Sequence, residues 1–159
     1  MCFCVSRSWR AFHVSFSRQR RKYADRQKRD AIVGSPLGRL LGLELVDAAD
    51  DRVRVRLPFR PEVTTVGELV HGGAIGALVD VTATAAAWTR AELARGPRGT
   101  TIGLSLSYLT GAKGRDLVAT GTIVQRGKSI VVCEVAVDDD AGTAVARALV
   151  TYKLDHRAA

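Results

Sequence analysis

The sequence is poor in cysteine, with three in 159 residues. Cys2, Cys4 and Cys133 are odd in number, and two of them stand at the extreme N-terminus, so they cannot form a disulfide framework. A reduced, cytoplasmic protein is the simplest interpretation. Cys2-x-Cys4 also has the wrong spacing for zinc and no accompanying His or Cys cluster. We therefore predict no metal site and no cofactor.

Aromatic residues make up only 6% of the chain, and the positive charge is unevenly spread. The net charge is +8, but residues 1–30 carry nine Lys or Arg against two Asp, which gives +7. The rest holds 15 basic and 14 acidic groups, which gives +1. The basic segment has no aromatic platform or finger motif for reading bases. We expect no nucleic-acid partner.

The N-terminal segment also lacks the apolar run of a secretory signal. It is rich in Ser and Arg and free of acid up to Lys22, so mitochondrial-type targeting is the alternative to a cytoplasmic location. We interpret residues 1–30 as a disordered leader, or as a start assigned upstream of the real one. Residues 31–159 are then one domain, as their length suggests.

No long stretch is free of charge. Leu69–Thr89 has the length of a membrane span, but it is built of Ala, Gly and Thr and has Asp80 at its middle. A central carboxylate is costly in a bilayer, so we expect a buried helix and no membrane partner.

Apolar patterning predicts an α+β fold. Arg52–Leu57 alternates strictly as a half-buried strand does, and Leu43–Val46 predicts a preceding strand. A helix of about 22 residues should run from Gly72 to Gly96-Pro97. Four strands joined by short turns should follow as an antiparallel meander: Thr100–Leu109, Asp116–Gln125, Ser129–Val137 and Thr143–Leu154. One long central helix would be wrapped by a curved antiparallel sheet of five to six strands.

One side of this helix carries only small residues around a single carboxylate, Asp80. They are Gly73, Gly76, Ala77, Ala83, Thr84 and Ala87. The carboxylate is either a structural group paired with a partner or a nucleophile or general base. The helix opens on Gly72-Gly73, whose free N–H groups suit a developing oxyanion, although turn glycines would look the same. His71 is either a substrate-facing donor or a loop anchor.

The run from His71-Gly72-Gly73 to Asp80 resembles the HGG-x6-D signature of hotdog-fold acyl-CoA thioesterases, in particular the phenylacetate-pathway or PaaI-like group. Thr101–Thr110 and the turn at Gln125–Lys128 resemble that group as well, and the resemblance spans about residues 37–154. It implies a hotdog fold and homodimers with a continuous sheet, often paired into homotetramers.

The resemblance also implies roles for single residues. Asp80 of one subunit activates water or attacks the thioester, and the Gly72 N–H of the other polarises the carbonyl. Thr101 stands where a family hydroxyl places water. Thr65 stands where many members have Asn, six residues before His71, so carbonyl or water positioning from this loop is altered.

Coenzyme A carries several phosphate charges, so basic residues should line its site. Arg126 and Lys128 are the first candidates and Lys113 and Arg115 the next, and solvent-exposed hairpin charges are the alternative. Further substrate contacts are predicted at Gly73, Gly103, Tyr108, Gln125, Gly127 and Ser129.

The predicted activity is hydrolysis of an acyl-CoA thioester to free acid and coenzyme A. Two alternatives stay open. One is a hydratase or dehydratase on the same scaffold, which needs a His paired with a helix carboxylate. The other is a non-catalytic acyl-CoA-binding regulatory module.

Overall fold

The computed structural model describes residues 30–91 and 98–155 of the chain. The predicted leader therefore lies outside the described residues, except for Asp30. The main elements are α1 (Pro36–Leu41), β1 (Glu44–Ala49), β2 (Arg52–Leu57), α2 (Gly72–Ala87), β3 (Arg98–Tyr108), β4 (Leu117–Arg126), β5 (Ile130–Asp139) and β6 (Ala144–Asp155). Residues 30–33 form a further helical turn. Within the described residues, none of the helices has the length and hydropathy that a membrane-spanning helix needs.

All six strands join one antiparallel sheet in the order β1-β2-β4-β5-β6-β3. The predicted meander is correct for β4, β5 and β6 but wrong for β3. That strand pairs with β6 at the far edge, and β4 pairs with β2. The reason is α2, which crosses the sheet and carries the chain from β2 to the opposite edge.

The sheet packs one face against α2, which is the arrangement that the hotdog resemblance predicts. The predicted alternation in β2 is confirmed, because Val53, Val55 and Leu57 are buried. Leu78 and Val79 of the helix are fully buried against the sheet. The core is therefore a layer between one helix and one sheet.

The helix is shorter than predicted. It ends at Ala87 after 16 residues and continues as a 3₁₀ turn over Trp88–Arg90. The Thr89 hydroxyl donates to the carbonyl of Ala86 at 2.8 Å, so this carbonyl is satisfied at the end of the helix. The predicted end at Gly96-Pro97 lies outside the described residues.

Helix α1 was not predicted, although the sequence carries its signals. Ser35 is the N-cap, and its hydroxyl accepts from the amide of Gly38 at 3.3 Å. Pro36 occupies the first helical position and Gly42 follows the end with a φ of 68°. A Ser-Pro start and a left-handed glycine after the last turn are typical helix ends.

Helix α2 approaches the sheet closely at Gly121 of β4. A Cβ at this position would lie 3.1 Å from the Thr82 Cγ2 and 3.4 Å from the Cys133 Sγ. Thr82 is fully buried, and its hydroxyl donates to the carbonyl of Leu78 at 2.7 Å. Burial raises the pKa of the Cys133 thiol to about 12, so this thiol stays protonated at neutral pH.

We predict that Gly121→Ala destabilises the protein by about 1–3 kcal/mol, the usual cost of overpacking a tight core. The added methyl group has to displace the helix or the neighbouring strand. Urea unfolding measures the effect, and Thr122→Ala at the exposed next position is the control. Equal stability of the two variants would show that the helix is not closely packed here.

Candidate active site

Asp80 lies in the middle of α2, next to the edge strand β3. Its Oδ1 accepts a hydrogen bond of 2.6 Å from the Thr101 hydroxyl. Its Oδ2 has no hydrogen-bond partner within the described part of the chain. The carboxylate is half-buried, so one oxygen is oriented by a fixed donor and the other is available to a reactant.

The helix is open along one stripe only. From Ala74 to Ala87 every residue is buried except Gly76, Ala77, Asp80 and Thr84. These residues follow a spacing of three and four along the helix, which places them on one side. The small-residue side predicted around Asp80 is therefore partly confirmed: its centre is open, while Ala83 and Ala87 are buried.

The first turn of α2 uses nearly all its amide donors. The Gly73 amide donates to the Nδ1 of His71 at 2.8 Å. The amides of Ala74 and Ile75 donate to the carbonyl of His71 at 3.0 and 3.2 Å. The Gly72 N–H alone among them has no acceptor in the described residues. It stands at the positive end of the helix dipole.

This geometry distinguishes the roles predicted for the three residues. His71 is the N-cap of α2, so it anchors the loop, and its Nδ1 accepts, which leaves the proton of the neutral ring on Nε2. Gly72 keeps an open N–H. The Gly73 N–H faces His71 and is not free for a substrate.

Tyr108 lies at the end of β3 and reaches the same helix turn. Its hydroxyl donates to the carbonyl of Gly72 at 2.8 Å. Gly103 lies earlier in β3, opposite Thr151 and directly after a bulge. Thr65 is exposed in the loop before His71, where its amide donates to the carbonyl of Leu69 at 2.8 Å.

Tyr152, which lies near Asp80, and its partner Trp88 were not found from the sequence. Tyr152 stands opposite Thr101 in the β3–β6 register, and its hydroxyl accepts from the Trp88 Nε1 at 2.8 Å. Burial raises the pKa of Tyr152, and the Asp80 carboxylate adds to the rise. In the sequence, Tyr152 and Trp88 are recognisable only as aromatic residues on a strand and at a helix end. Aromatic residues at such places are typical of any protein core.

Arg126 lies at the other end of α2. Its guanidinium donates to the carbonyl of Ala87 at 2.9 Å and to the Asp51 carboxylate at 2.8 Å. It therefore caps the C-terminus of the helix, where a cation is favourable. Asp51 has a φ of 61° and also pairs with Arg90 at 2.6 Å.

The other residues predicted to bind substrate lie in two separate loops. Gln125, Gly127 and Lys128 are exposed at the β4–β5 hairpin, and Ser129 there is half-buried. Lys113 lies in the β3–β4 connection, bridged to Leu69, and Arg115 pairs with Asp140 at 2.9 Å. The hairpin is at the C-terminal end of α2, about 22 Å from Gly72 by helix rise. One chain therefore does not bring the hairpin and the glycine turn together.

The described residues contain no group of three or more His, Cys, Asp or Glu side chains that could hold a metal ion.

Comparisons with known proteins agree with this architecture. The family model of the thioesterase superfamily matches residues 67–146. A Halobacterium salinarum protein with an esterase name is 34% identical over 107 residues, which is 65% of this chain and 70% of that one.

Two solved structures share the fold. A mutant thioesterase from Pseudomonas aeruginosa superposes with a TM-score of 0.75 at 18% identity and covers 82% of this chain and 94% of its own. A hypothetical thioesterase from Streptococcus pneumoniae, solved with coenzyme A, superposes with a TM-score of 0.65 at 22% identity. The match covers 74% of this chain and 88% of that one.

We predict that Arg126→Met lowers the free energy of unfolding by about 1–3 kcal/mol, because buried helix carbonyls and Asp51 lose a charged donor. Methionine keeps the apolar stem. Denaturant unfolding measures the effect. Arg115→Met, which breaks an exposed ion pair, is the control and should leave the unfolding midpoint almost unchanged. An equally small effect of Arg126→Met would contradict the capping role.

Proposed function

This chain belongs to the thioesterase superfamily, and from that premise we propose that it hydrolyses an acyl-CoA thioester to the free acid and coenzyme A. The observation that carries the proposal is Asp80, a half-buried carboxylate held by Thr101 on the one open stripe of the helix. Such a group is suited to act on water or on the thioester carbon.

The reaction needs a base, a water molecule and a hydrogen-bond donor for the oxyanion. Oδ2 of Asp80 takes a proton from water while the water oxygen bonds to the thioester carbon. The carbonyl oxygen becomes an oxyanion, which accepts a hydrogen bond from a fixed N–H donor. The C–S bond then breaks, and the thiolate of coenzyme A takes up the proton. Direct attack by Asp80 would instead give an anhydride that water hydrolyses, and both routes use the same groups.

In one chain, the Asp80 carboxylate and the open Gly72 N–H are too far apart to act on the same carbonyl group. Gly72 and Asp80 are eight residues apart on one helix, which is about 12 Å of rise. The nucleophile and the oxyanion donor each lie about 3 Å from the reacting group. We therefore propose that the Gly72 N–H of one subunit and Asp80 of another act on the same carbonyl.

The edge strand β3 offers the surface for this assembly. It has 11 residues and ends the sheet, so one row of its backbone groups is unpaired within the described chain. Ile102, Leu104 and Tyr108 on it are exposed by 42% to 55%. A long apolar edge is a template for pairing with another chain, and we propose a homodimer with a continuous sheet. Two such dimers could pair into a homotetramer.

Coenzyme A is the proposed carrier because a structural neighbour from S. pneumoniae was solved with it. Lys128 is exposed in the β4–β5 hairpin and makes no ion pair among the described residues, so it remains the first candidate for a phosphate. Arg126 is a weaker candidate because its guanidinium is occupied by Asp51 and the helix end.

We predict that Asp80→Asn lowers kcat on a responsive acyl-CoA by about 10²–10⁴-fold, the usual contribution of a positioned acid or base. The amide keeps the size of the side chain but cannot take the proton. Free thiol release from a panel of acyl-CoAs measures the loss. Thr101→Val should cost less, and Thr100→Val, which alters the exposed neighbouring hydroxyl, is the control.

Hydrolysis by Asp80→Asn at the wild-type rate on every acyl-CoA would contradict the mechanism and favour the binding module. Hydration of an unsaturated acyl-CoA without thiol release would favour the hydratase.

The shared site predicts complementation between two inactive variants. Gly72→Pro deletes the N–H at the first helical position, where the backbone of proline is tolerated, and its ring also presses on Tyr108. Asp80→Asn removes the base. Each alone should form inactive dimers. Refolding the two together should give about a quarter of the wild-type activity, because half of the dimers are mixed and each holds one intact site.

Light scattering on the same samples checks that both variants still assemble. No recovery from mixed dimers whose formation has been verified would place the whole site within one chain.

A further inference from the structure

Tyr108 was predicted from the sequence to contact substrate, but its hydroxyl is directed at the protein backbone. We propose that Tyr108 is a positioning residue for the oxyanion donor: its hydroxyl holds the Gly72 carbonyl and thereby restrains the first residue of α2, which carries the donor N–H. The inference rests on the proposed thioester hydrolysis and adds a residue to it.

The peptide unit between Gly72 and Gly73 is held at both ends. Its carbonyl oxygen, which belongs to Gly72, accepts from the Tyr108 hydroxyl at 2.8 Å. Its N–H, which belongs to Gly73, donates to the Nδ1 of His71 at 2.8 Å. The two side chains come from different elements, β3 and the loop before α2. Together they fix the orientation of this one peptide plane.

This restraint matters because glycine has the greatest backbone freedom of any residue. Two glycines in sequence at a helix start would let the first turn shift, and the Gly72 N–H would shift with it. The peptide before Gly72 is already held, because the His71 carbonyl accepts from the amides of Ala74 and Ile75. With the peptide after Gly72 held by Tyr108, both planes that meet at its Cα are fixed. A fixed donor stabilises an oxyanion without reorganising during the reaction.

The contact also explains why position 72 is a glycine. A Cβ there would lie 3.2 Å from both the Cζ and the hydroxyl oxygen of Tyr108. A side chain there would press on the ring, and the ring would have to shift by a few tenths of an ångström to keep this contact. Gly76, one turn on, leaves further room, since its Cβ would lie 4.0 Å from the same hydroxyl.

The test is Tyr108→Phe, which removes one oxygen and keeps the ring. We expect kcat for thioester hydrolysis to fall about tenfold, less than the 10²–10³-fold lost when an oxyanion donor itself is removed. KM should stay within twofold, because the hydroxyl faces the backbone and not the substrate. Ser107→Ala is the matched control, since Ser107 is exposed on the same strand and faces the other side of the sheet. It should keep the wild-type kcat.

A double-mutant cycle with His71→Ala tests whether both side chains act through the one peptide. The combined loss in kcat should be smaller than the product of the two single losses. His71→Asn, which keeps a side-chain acceptor at the N-cap, should retain most of the activity that His71→Ala loses. Multiplicative losses would overturn the shared role.

Two results would overturn the positioning role of Tyr108 itself. They are an unchanged kcat in Tyr108→Phe, or a raised KM at unchanged kcat, which would make it a substrate contact. If Tyr108→Phe fails to fold, Tyr108→Met, which also lacks the hydroxyl, replaces it. An unchanged kcat in Tyr108→Met would then overturn the proposal. Absence of thiol release by the wild-type protein would instead refute the proposed function.

Discussion

The constraint on which the structure depends is the burial of a helix made largely of small side chains. Small residues let the sheet approach α2 closely, as at Gly121 against Thr82. From Ala74 to Ala87, every residue of α2 is buried except those on the stripe that contains Asp80. A helix with large side chains on that stripe would fill the space above the carboxylate. The packing that stabilises the fold therefore also creates the opening in which chemistry can occur.

The two ends of α2 serve different purposes. At the C-terminus, Arg126 and Thr89 satisfy the last carbonyls, so this end is closed and contributes to stability. At the N-terminus, His71 and Tyr108 hold one peptide and leave the Gly72 N–H open. The first amides of a helix have no intrahelical acceptor. The Gly72 N–H is therefore available to a ligand.

Much of the candidate site could be predicted from the sequence because its residues are close together along the chain. His71, Gly72 and Asp80 belong to one helix, and the helical period alone places the carboxylate among small residues. Their partners Thr101 and Tyr108 come from β3, and Tyr152 comes from β6. The contact of Thr101 with Asp80 depends on β3 reaching the far edge of the sheet, which contradicts the meander expected from short turns. The capping role of Arg126 was not predicted either, because nothing in the sequence shows that this turn residue lies beside the end of a helix.

The sequence by itself determined the local features: the alternating strand β2, the start of α2 at a glycine pair, and the small-residue side around Asp80. Each follows from backbone geometry and the period of side chains over a few residues. The tertiary structure decided the strand order and the partners of Asp80, of Gly72 and of the C-terminal end of α2 at Arg126. These partners lie 21 to 39 positions apart along the chain. No local period records such contacts, because they form only when the sheet has closed around the helix.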